Sequence, residues 1–144
     1  MINTVSNGLL GIWSLKEYVV EIKATGQKNY PMGLHPHGYA TFCENGKVIV
    51  MLTAEVRLPA RNDSDATGLL NTLVAYAGSY RLEGNEWVTS VEVAWKPEWV
   101  GTEQRRFFAI VGDEMVVTTE WRVMPNWQAM GMQRSILTFA RINS

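Results

Sequence analysis

Short runs of alternating apolar and polar residues, separated by turn residues, dominate the chain. In residues 86–95, for example, the odd-numbered positions from Trp87 to Trp95 are mostly apolar, and Glu92 lies among the even-numbered positions. Alternation with a period of two is typical of a strand that buries one face. This signature and the turns between runs predict eight strands: 10–22, 38–43, 47–54, 76–82, 86–95, 104–111, 115–121 and 134–142.

The connections between these strands are short, which favours hairpins. Asn45-Gly46 predicts a type I′ turn, because that turn needs positive φ at both central residues, and Gly112-Asp113 predicts a second tight turn. Sequential hairpins favour an up-and-down barrel, which leaves no exposed sheet edge. The predicted fold class is therefore all-β, an eight-stranded antiparallel barrel whose interior has room for one small ligand.

One segment follows a helical rather than a strand period. Its apolar positions recur three and four residues apart, which places them on one face of a helix. They are Ala66, Leu69, Leu70, Leu73 and Val74. Asp63 or Ser64 is suited to cap the first turn. We expect a single short helix over residues 63–75, placed as a lid over one mouth of the barrel.

Composition and charge narrow the class of protein. The 144 residues, 47% of them apolar, predict one domain over residues 1–144 with its own core. A net charge of -1 without a basic block argues against nucleic-acid partners. The single cysteine, Cys43, and the lack of a long apolar run or export signal favour a soluble cytoplasmic protein without membrane contact. No phosphate loop, dinucleotide fingerprint or Gly-x-Ser-x-Gly occurs, so no cofactor is expected.

Five motifs are spread from the first predicted strand to the sixth. They are Gly11-Ile12-Trp13, Tyr30-Pro31-Met32-Gly33, Gly38-Tyr39, Ala75-Tyr76-Ala77-Gly78-Ser79-Tyr80, and Trp99-Val100-Gly101-Thr102-Glu103-Gln104 with Arg106 and Phe108 after it. In these motifs the chain resembles the small bacterial and fungal lipocalin-like domain family over residues 9–142. The resemblance implies a calycin-type barrel with a helix before Tyr76, and a Trp13 that closes one end beneath Arg141. The family's pattern places a His where this chain has Thr89 and Ser90.

Aromatic side chains are candidates for the lining of such a barrel. Six Trp and five Tyr provide large rigid surfaces that suit a flat or hydrophobic ligand, although they equally suit a barrel filled by its own side chains. Trp95 and Trp99 flank Pro97 at a strand end, near the expected mouth. Tyr39 and Tyr80 are candidates for polar contacts to the ligand.

Three charged or titratable residues complete the candidate site. Arg106 shares a face with Phe108 by alternation, so it points either into the barrel or, on the opposite register, to solvent. An interior Arg needs an anion, either a partner such as Glu92 or the acidic head of a ligand. The two histidines of His35-Pro36-His37 are too few ligands for a metal site. His37 is instead predicted to be a polar group at the mouth of the barrel, since histidine titrates near neutral pH.

The predicted function is the binding of a small hydrophobic or amphipathic molecule inside the barrel. The predicted ligand-binding residues are His37, Tyr39, Tyr80, Glu92, Trp95, Trp99 and Arg106. The alternative is a cofactor-free isomerase or cyclase acting on a lipid-like or polyketide-like substrate, with Glu92 or His37 as acid or base. A third possibility is a filled barrel that acts through its surface as a homodimer, through the apolar loop 124–132.

Overall fold

The computed structural model describes residues 8–124 and 128–142, which contain one ten-stranded antiparallel sheet. The strands are β1 (Gly11–Ile22), β2 (Lys28–Asn29), β3 (His37–Phe42), β4 (Lys47–Thr53), β5 (Leu73–Glu83), β6 (Glu86–Ala94), β7 (Glu103–Val111), β8 (Glu114–Thr119), β9 (Arg122–Val123) and β10 (Met132–Arg141). Their order is β2-β1-β3-β4-β5-β6-β7-β8-β10-β9, and β1 also pairs with β10. This last pairing closes the eight long strands into a barrel, to which β2 and β9 are short additions.

The eight-stranded antiparallel barrel predicted from the sequence is confirmed. Each predicted strand begins and ends within three residues of the corresponding observed strand. The β3–β4 hairpin is also present, but the predicted type I′ turn is wrong. Gly46 has a φ of +84°, and no non-glycine residue in the described part of the chain has a positive φ. The amide of Gly46 donates to the carbonyl of Cys43 at 3.0 Å, so Gly46 is the last residue of the turn and its two central residues are Glu44 and Asn45.

The helix α1 (Asp63–Leu70) is shorter than the predicted 63–75. Leu73 and Val74 belong to β5 instead, because pairing with β4 starts at Leu73. The cap is Asn62 rather than Asp63 or Ser64, and its side chain accepts a hydrogen bond from the amide of Asp65 at 2.8 Å. No residue of α1 is buried. The described residues contain no helix long and apolar enough to cross a membrane.

The closed end of the barrel is formed where β1 begins and β10 ends. Trp13 is fully buried there, and its Nε1 donates to the carbonyl of Leu9 at 2.9 Å. The Cζ of Arg141 lies 4.1 Å from the centroid of the Trp13 ring, and its guanidinium donates to the carbonyls of Leu10 and Gly8. The Trp13–Arg141 arrangement implied by the family resemblance is therefore confirmed.

A β-bulge in β6 decides which side chains near the other end face inward. Ala77 pairs with Val93, whereas Gly78 pairs with Val91, so Glu92 is the extra residue. The bulge depends on glycine, because a Cβ at position 78 would lie 1.9 Å from the Ser90 carbonyl oxygen. Val91 is consequently buried and Val93 is 66% exposed. The predicted single inward face from Trp87 through Val93 is wrong beyond Val91.

Candidate functional site

A small cavity lies inside the barrel, toward the end opposite Trp13. Its volume is about 40 Å³, which is room for only a few water molecules, each needing roughly 10–15 Å³ by the same measure. Side chains from β4 to β6 and the segment after β6 form an apolar wall, and polar side chains from β1 and β7 to β10 form a polar wall. Val117, Met124, Leu137 and Phe139 add further apolar surface. No residue of α1 lines the cavity, so the predicted lid is not formed.

The apolar wall is built largely from aromatic rings. The ring centroid of Trp99 lies 4.9 Å from that of Trp95 and 5.3 Å from that of Tyr76. A 3₁₀ turn over Pro97–Trp99 directs the Trp99 ring inward, and Leu52 and Val74 complete the apolar surface. The Nε1 of Trp95 is buried and has no hydrogen-bond partner among the described residues.

The polar wall brings five side chains from five strands together. They are Tyr18, Arg106, Thr119, Arg122 and Ser135. Arg106 and Thr119 are cross-strand partners, the amide of Ser135 donates to Thr119 Oγ1 at 2.8 Å, and Ser135 Oγ donates to the Tyr18 hydroxyl at 3.1 Å. The hydroxyl groups are thus held in place by strand pairing.

Arg106 and Arg122, here called the arginine pair, have few partners of their own. Arg106 is only 7% exposed, and its Nη1 donates to the carbonyl of Arg105 at 2.9 Å. Arg122 Nη1 donates to Gln104 Oε1 at 2.9 Å, whereas Arg122 Nε is buried without a partner in the described residues. Within residues 8–124 and 128–142, no carboxylate forms an ion pair with either guanidinium.

The two charges of the arginine pair affect each other and their neighbours. Burial lowers the pKa of Arg122, the positive charge of Arg106 adds to this effect, and the resulting pKa is about 10. Burial raises the pKa of Tyr18, while the hydrogen bond from Ser135 and the two arginine charges oppose that rise. The polar wall therefore combines neutral hydroxyl groups with uncompensated positive charge.

The arginine pair also borders an outer depression of about 510 Å³ between the ends of β7 and β8. The pairing of these strands extends on this side only as far as Arg106 and Thr119. Glu103 and Glu120 line the depression on its outer side. The arginine pair thus stands between the cavity and solvent.

A model of the lipocalin-like domain family matches residues 10–142, nearly the whole chain. The chain belongs to the lipocalin-like domain family. No curated protein matches it significantly. The lipocalin-like barrel itself suggests a role in ligand binding, without indicating a particular ligand.

Three of the predicted site residues lie together in this lipocalin-like domain. Trp95, Trp99 and Arg106 all line the cavity, so the inward orientation is the one observed of the two that the sequence left open for Arg106. Tyr80 is buried in the barrel as well, but it packs edge-to-face against Phe42 at 5.2 Å and does not line the cavity.

Glu92 does not lie inside the barrel, and the suggested Glu92–Arg106 pair is not formed. Glu92 follows the inward-facing Val91 and lies on the outer face, where Lys47 Nζ lies 3.1 Å from its carboxylate and Ser79 Oγ donates to it at 3.2 Å. The hydrogen bond from Lys47 holds the pKa of the Glu92 carboxyl below its usual value. Glu92 is therefore an anion already paired with a cation outside the barrel.

Tyr39 and His37 also lie on the outside of the barrel. Tyr39 is 54% exposed and contributes with Ile12 and Met51 to an apolar patch on the outer face of the sheet. His37 is exposed and borders a separate surface depression. Neither residue lines the cavity, and a role for His37 at the mouth stays a prediction.

Sequence analysis missed Tyr18 and Arg122. In β1 the pairing shifts between Leu15 and Glu17, so the inward set changes from odd to even positions and reaches Tyr18. Arg122 lies in the two-residue β9, just beyond the predicted strand 115–121. The position of Arg122 next to Trp121 is only a weak signal of a site residue, because Arg122 follows the end of the regular alternation.

The loop 124–132 was predicted to be an exposed apolar contact patch. Met124 is instead 2% exposed and lines the cavity, whereas Met132 is 42% exposed. Residues 125–127, including Trp127, lie outside the described residues. Homodimerisation through this loop stays a prediction.

Proposed function

We propose that this lipocalin-like domain binds a small amphipathic molecule in the cavity between Trp99 and the arginine pair. The observation that carries the proposal is the division of the cavity into an aromatic wall and a polar wall. Sites for small molecules typically combine apolar lining with a few polar groups that fix orientation. An apolar body would pack on Trp95 and Trp99, and a polar head would face Arg106 and Arg122.

The cavity volume of about 40 Å³ requires side chains to move when a larger molecule binds. Trp95 is suited to move, because it follows the end of β6, is only partly buried and has no hydrogen-bond partner on Nε1 among the described residues. Its displacement would break no hydrogen bond of that atom. We therefore expect Trp95 to change position on binding while Trp13 does not.

The alternative of an isomerase or cyclase has lost the residues that motivated it. Glu92 and His37, the predicted acid or base, both lie outside the cavity. The titratable side chains among the described lining residues are two tyrosines and two arginines, Tyr18, Tyr76, Arg106 and Arg122. This composition favours holding an anion or a hydrogen-bond acceptor over proton abstraction near neutral pH.

Mass spectrometry of the intact protein, compared under native and denaturing conditions after gentle purification, tests the proposal. We expect a discrete small molecule that is released on denaturation. Where purification removes it, we expect a complex after incubation with a mixture of amphipathic acids, alcohols and amides. Val74→Trp, which fills the cavity, should abolish the complex, and Val93→Trp, on the outer face, should leave it intact.

Two results would contradict the proposal. One is a protein that carries no small molecule and takes up none from the mixture. The other is a complex that survives Val74→Trp unchanged, because the bound molecule would then lie elsewhere. Circular dichroism of both variants establishes that the barrel is folded before either result is interpreted.

A further inference from the structure

We propose that the arginine pair is a carboxylate-binding subsite, so that the ligand of this barrel is a monocarboxylic acid with an apolar body. This inference rests on the proposed function and adds the chemical class of the ligand. It also assigns a specific role to Arg122, which the sequence pattern did not single out.

The argument begins with how the other arginines are partnered. Arg81, Arg105 and Arg134 are considerably more exposed than Arg106, and each has a carboxylate within 3.1 Å. Pairing contributes least at such exposed positions and matters most for a buried charge. Arg106 and Arg122 nevertheless have no carboxylate partner among the described residues. Among the described residues, the buried charge beside this cavity therefore lacks a carboxylate partner.

Both arginines of the pair line the cavity, and most of their donor groups have no acceptor among the described residues. A guanidinium carries five N–H donors in a planar fork that matches a carboxylate. Each arginine of the pair donates one hydrogen bond to the protein, Arg106 to Arg105 and Arg122 to Gln104. Arg122 Nε in particular is buried without a partner in the described chain. Several donors thus remain for an anion.

Trp99 links the arginine pair to the apolar wall. Its ring centroid lies 5.9 Å from the Cζ of Arg106 and 5.3 Å from the Cζ of Arg122. An acid group held by both guanidiniums would therefore have its apolar body beside the Trp99 ring, with Trp95 next along the wall. The outer depression, which the same two arginines border, provides access for the acid from solvent.

The charge of the surroundings favours a carboxylate over a phosphate. Glu103, Glu120 and Arg105 line the outer depression beside the arginine pair, and Arg81 already pairs with Glu103 at 2.8 Å. Glu120 has no ion pair among the described residues, and its negative charge would repel a dianion more strongly than a monoanion. Two guanidiniums and one carboxylate leave one net positive charge, which the single charge of Glu120 balances.

Isothermal titration calorimetry with matched probes tests the assignment. The probes are 2-naphthoate with its uncharged amide, decanoate with its amide, and 2-naphthyl phosphate. We expect each acid to bind more tightly than its amide, and naphthoate more tightly than naphthyl phosphate. Since a hydrogen bond to a charged group is lost, Arg106→Met and Arg122→Met should each weaken acid binding by about tenfold to a hundredfold. Amide binding should change little.

The matched control is Arg134→Met, which removes the same charge from an outward position that lines neither the cavity nor the outer depression. It should leave acid binding within about twofold of the parent protein, since exposed charges are screened. Arg106→Lys keeps the charge but loses the planar fork, so it should bind the acids more weakly than the parent and more tightly than Arg106→Met.

The outcomes separate this inference from the proposed function. Acids and amides that bind equally, in the parent and in both Met variants, would overturn the carboxylate subsite and leave binding in the barrel intact. Tighter binding of the phosphate would overturn the choice of carboxylate. If no probe binds at millimolar concentration, the proposed function and the inference both fail. Thermal unfolding of each variant verifies that a lost signal does not reflect a lost fold.

Discussion

The two ends of the barrel each place arginine against tryptophan, but they differ in how the polar groups are satisfied. At the closed end, Arg141 donates to the carbonyls of Leu10 and Gly8, and Trp13 Nε1 donates to Leu9. At the open end, Arg122 Nε and Trp95 Nε1 are both buried without partners in the described residues. The first arrangement holds the segment just before β1 against Trp13 and the end of β10. The second leaves donors directed toward a cavity.

This difference shows that an arginine packed on a tryptophan ring is not by itself a sign of a binding site. Arg141 compensates its charge with carbonyl oxygens, the Trp13 ring and Asp113 at 3.8 Å, so its environment explains its presence. Arg106 and Arg122 have no comparable set of acceptors. A buried polar group without a partner costs stability, and a ligand that supplies the partner recovers that loss.

The largest expected effect distinguishes the tryptophans of the two ends. Trp13→Ala should lower the free energy of unfolding by about 3–5 kcal/mol, the range for deleting a fully buried aromatic ring. Trp95→Ala should cost less than half as much, because Trp95 is only partly buried. Urea denaturation followed by circular dichroism measures both. Equal losses would mean that the open end is as structural as the closed end.

The next effect concerns Arg141. Arg141→Met should destabilise the fold by about 1–3 kcal/mol, because the carbonyl oxygens of Leu10 and Gly8 lose their donors. Binding of small molecules should be unaffected, since Arg141 does not line the cavity. The same denaturation series gives the first quantity, and calorimetry gives the second. A variant of undiminished stability would contradict the structural role of this end.

Unlike Arg141→Met, Arg122→Met should not lower the free energy of unfolding at neutral pH. We expect that free energy to be unchanged or raised by up to about 2 kcal/mol. Arg122 has a pKa of about 10, below its usual value, so its charged form is disfavoured in the folded state. This penalty is fully present below pH 10 and diminishes as the pH rises from there toward the unfolded pKa. At pH 7 the variant is therefore freed of the whole penalty. A large loss of stability at pH 7, measured by urea denaturation, would show that Arg122 is structural after all.

The smallest effect is expected for Glu92→Gln on the outer face. The hydrogen bond from Lys47 lowers the pKa of Glu92, so the contribution of Glu92 to stability exists above its unfolded pKa and disappears as the pH falls through the folded value. The variant should be slightly less stable than the parent at pH 7 and indistinguishable from it in strong acid. Denaturation at both pH values tests this. Loss of ligand binding would place Glu92 back in the site.

The barrel was predictable from sequence because strand alternation and turn residues act locally. The period of two persists in β7, so it placed Arg106 and Phe108 correctly on one face, although it did not decide that this face is the inner one. The bulges in β1 and β6 were not predictable, because one extra residue reverses the inward face without changing composition. Those bulges bring Tyr18 inside and put Val93 outside. Arg122 was missed since a two-residue strand carries no periodic signal.

The most direct test of the difference between the two ends is a nitrogen–proton correlation spectrum of the tryptophan indole groups during titration with 2-naphthoate. Single Trp→Phe variants assign the signals. The account predicts that the Nε1–H signals of Trp95 and Trp99 shift together with binding, while that of Trp13, bonded to the Leu9 carbonyl, stays in place. A shift of the Trp13 signal alone, or of no tryptophan signal at a saturating concentration, would contradict it.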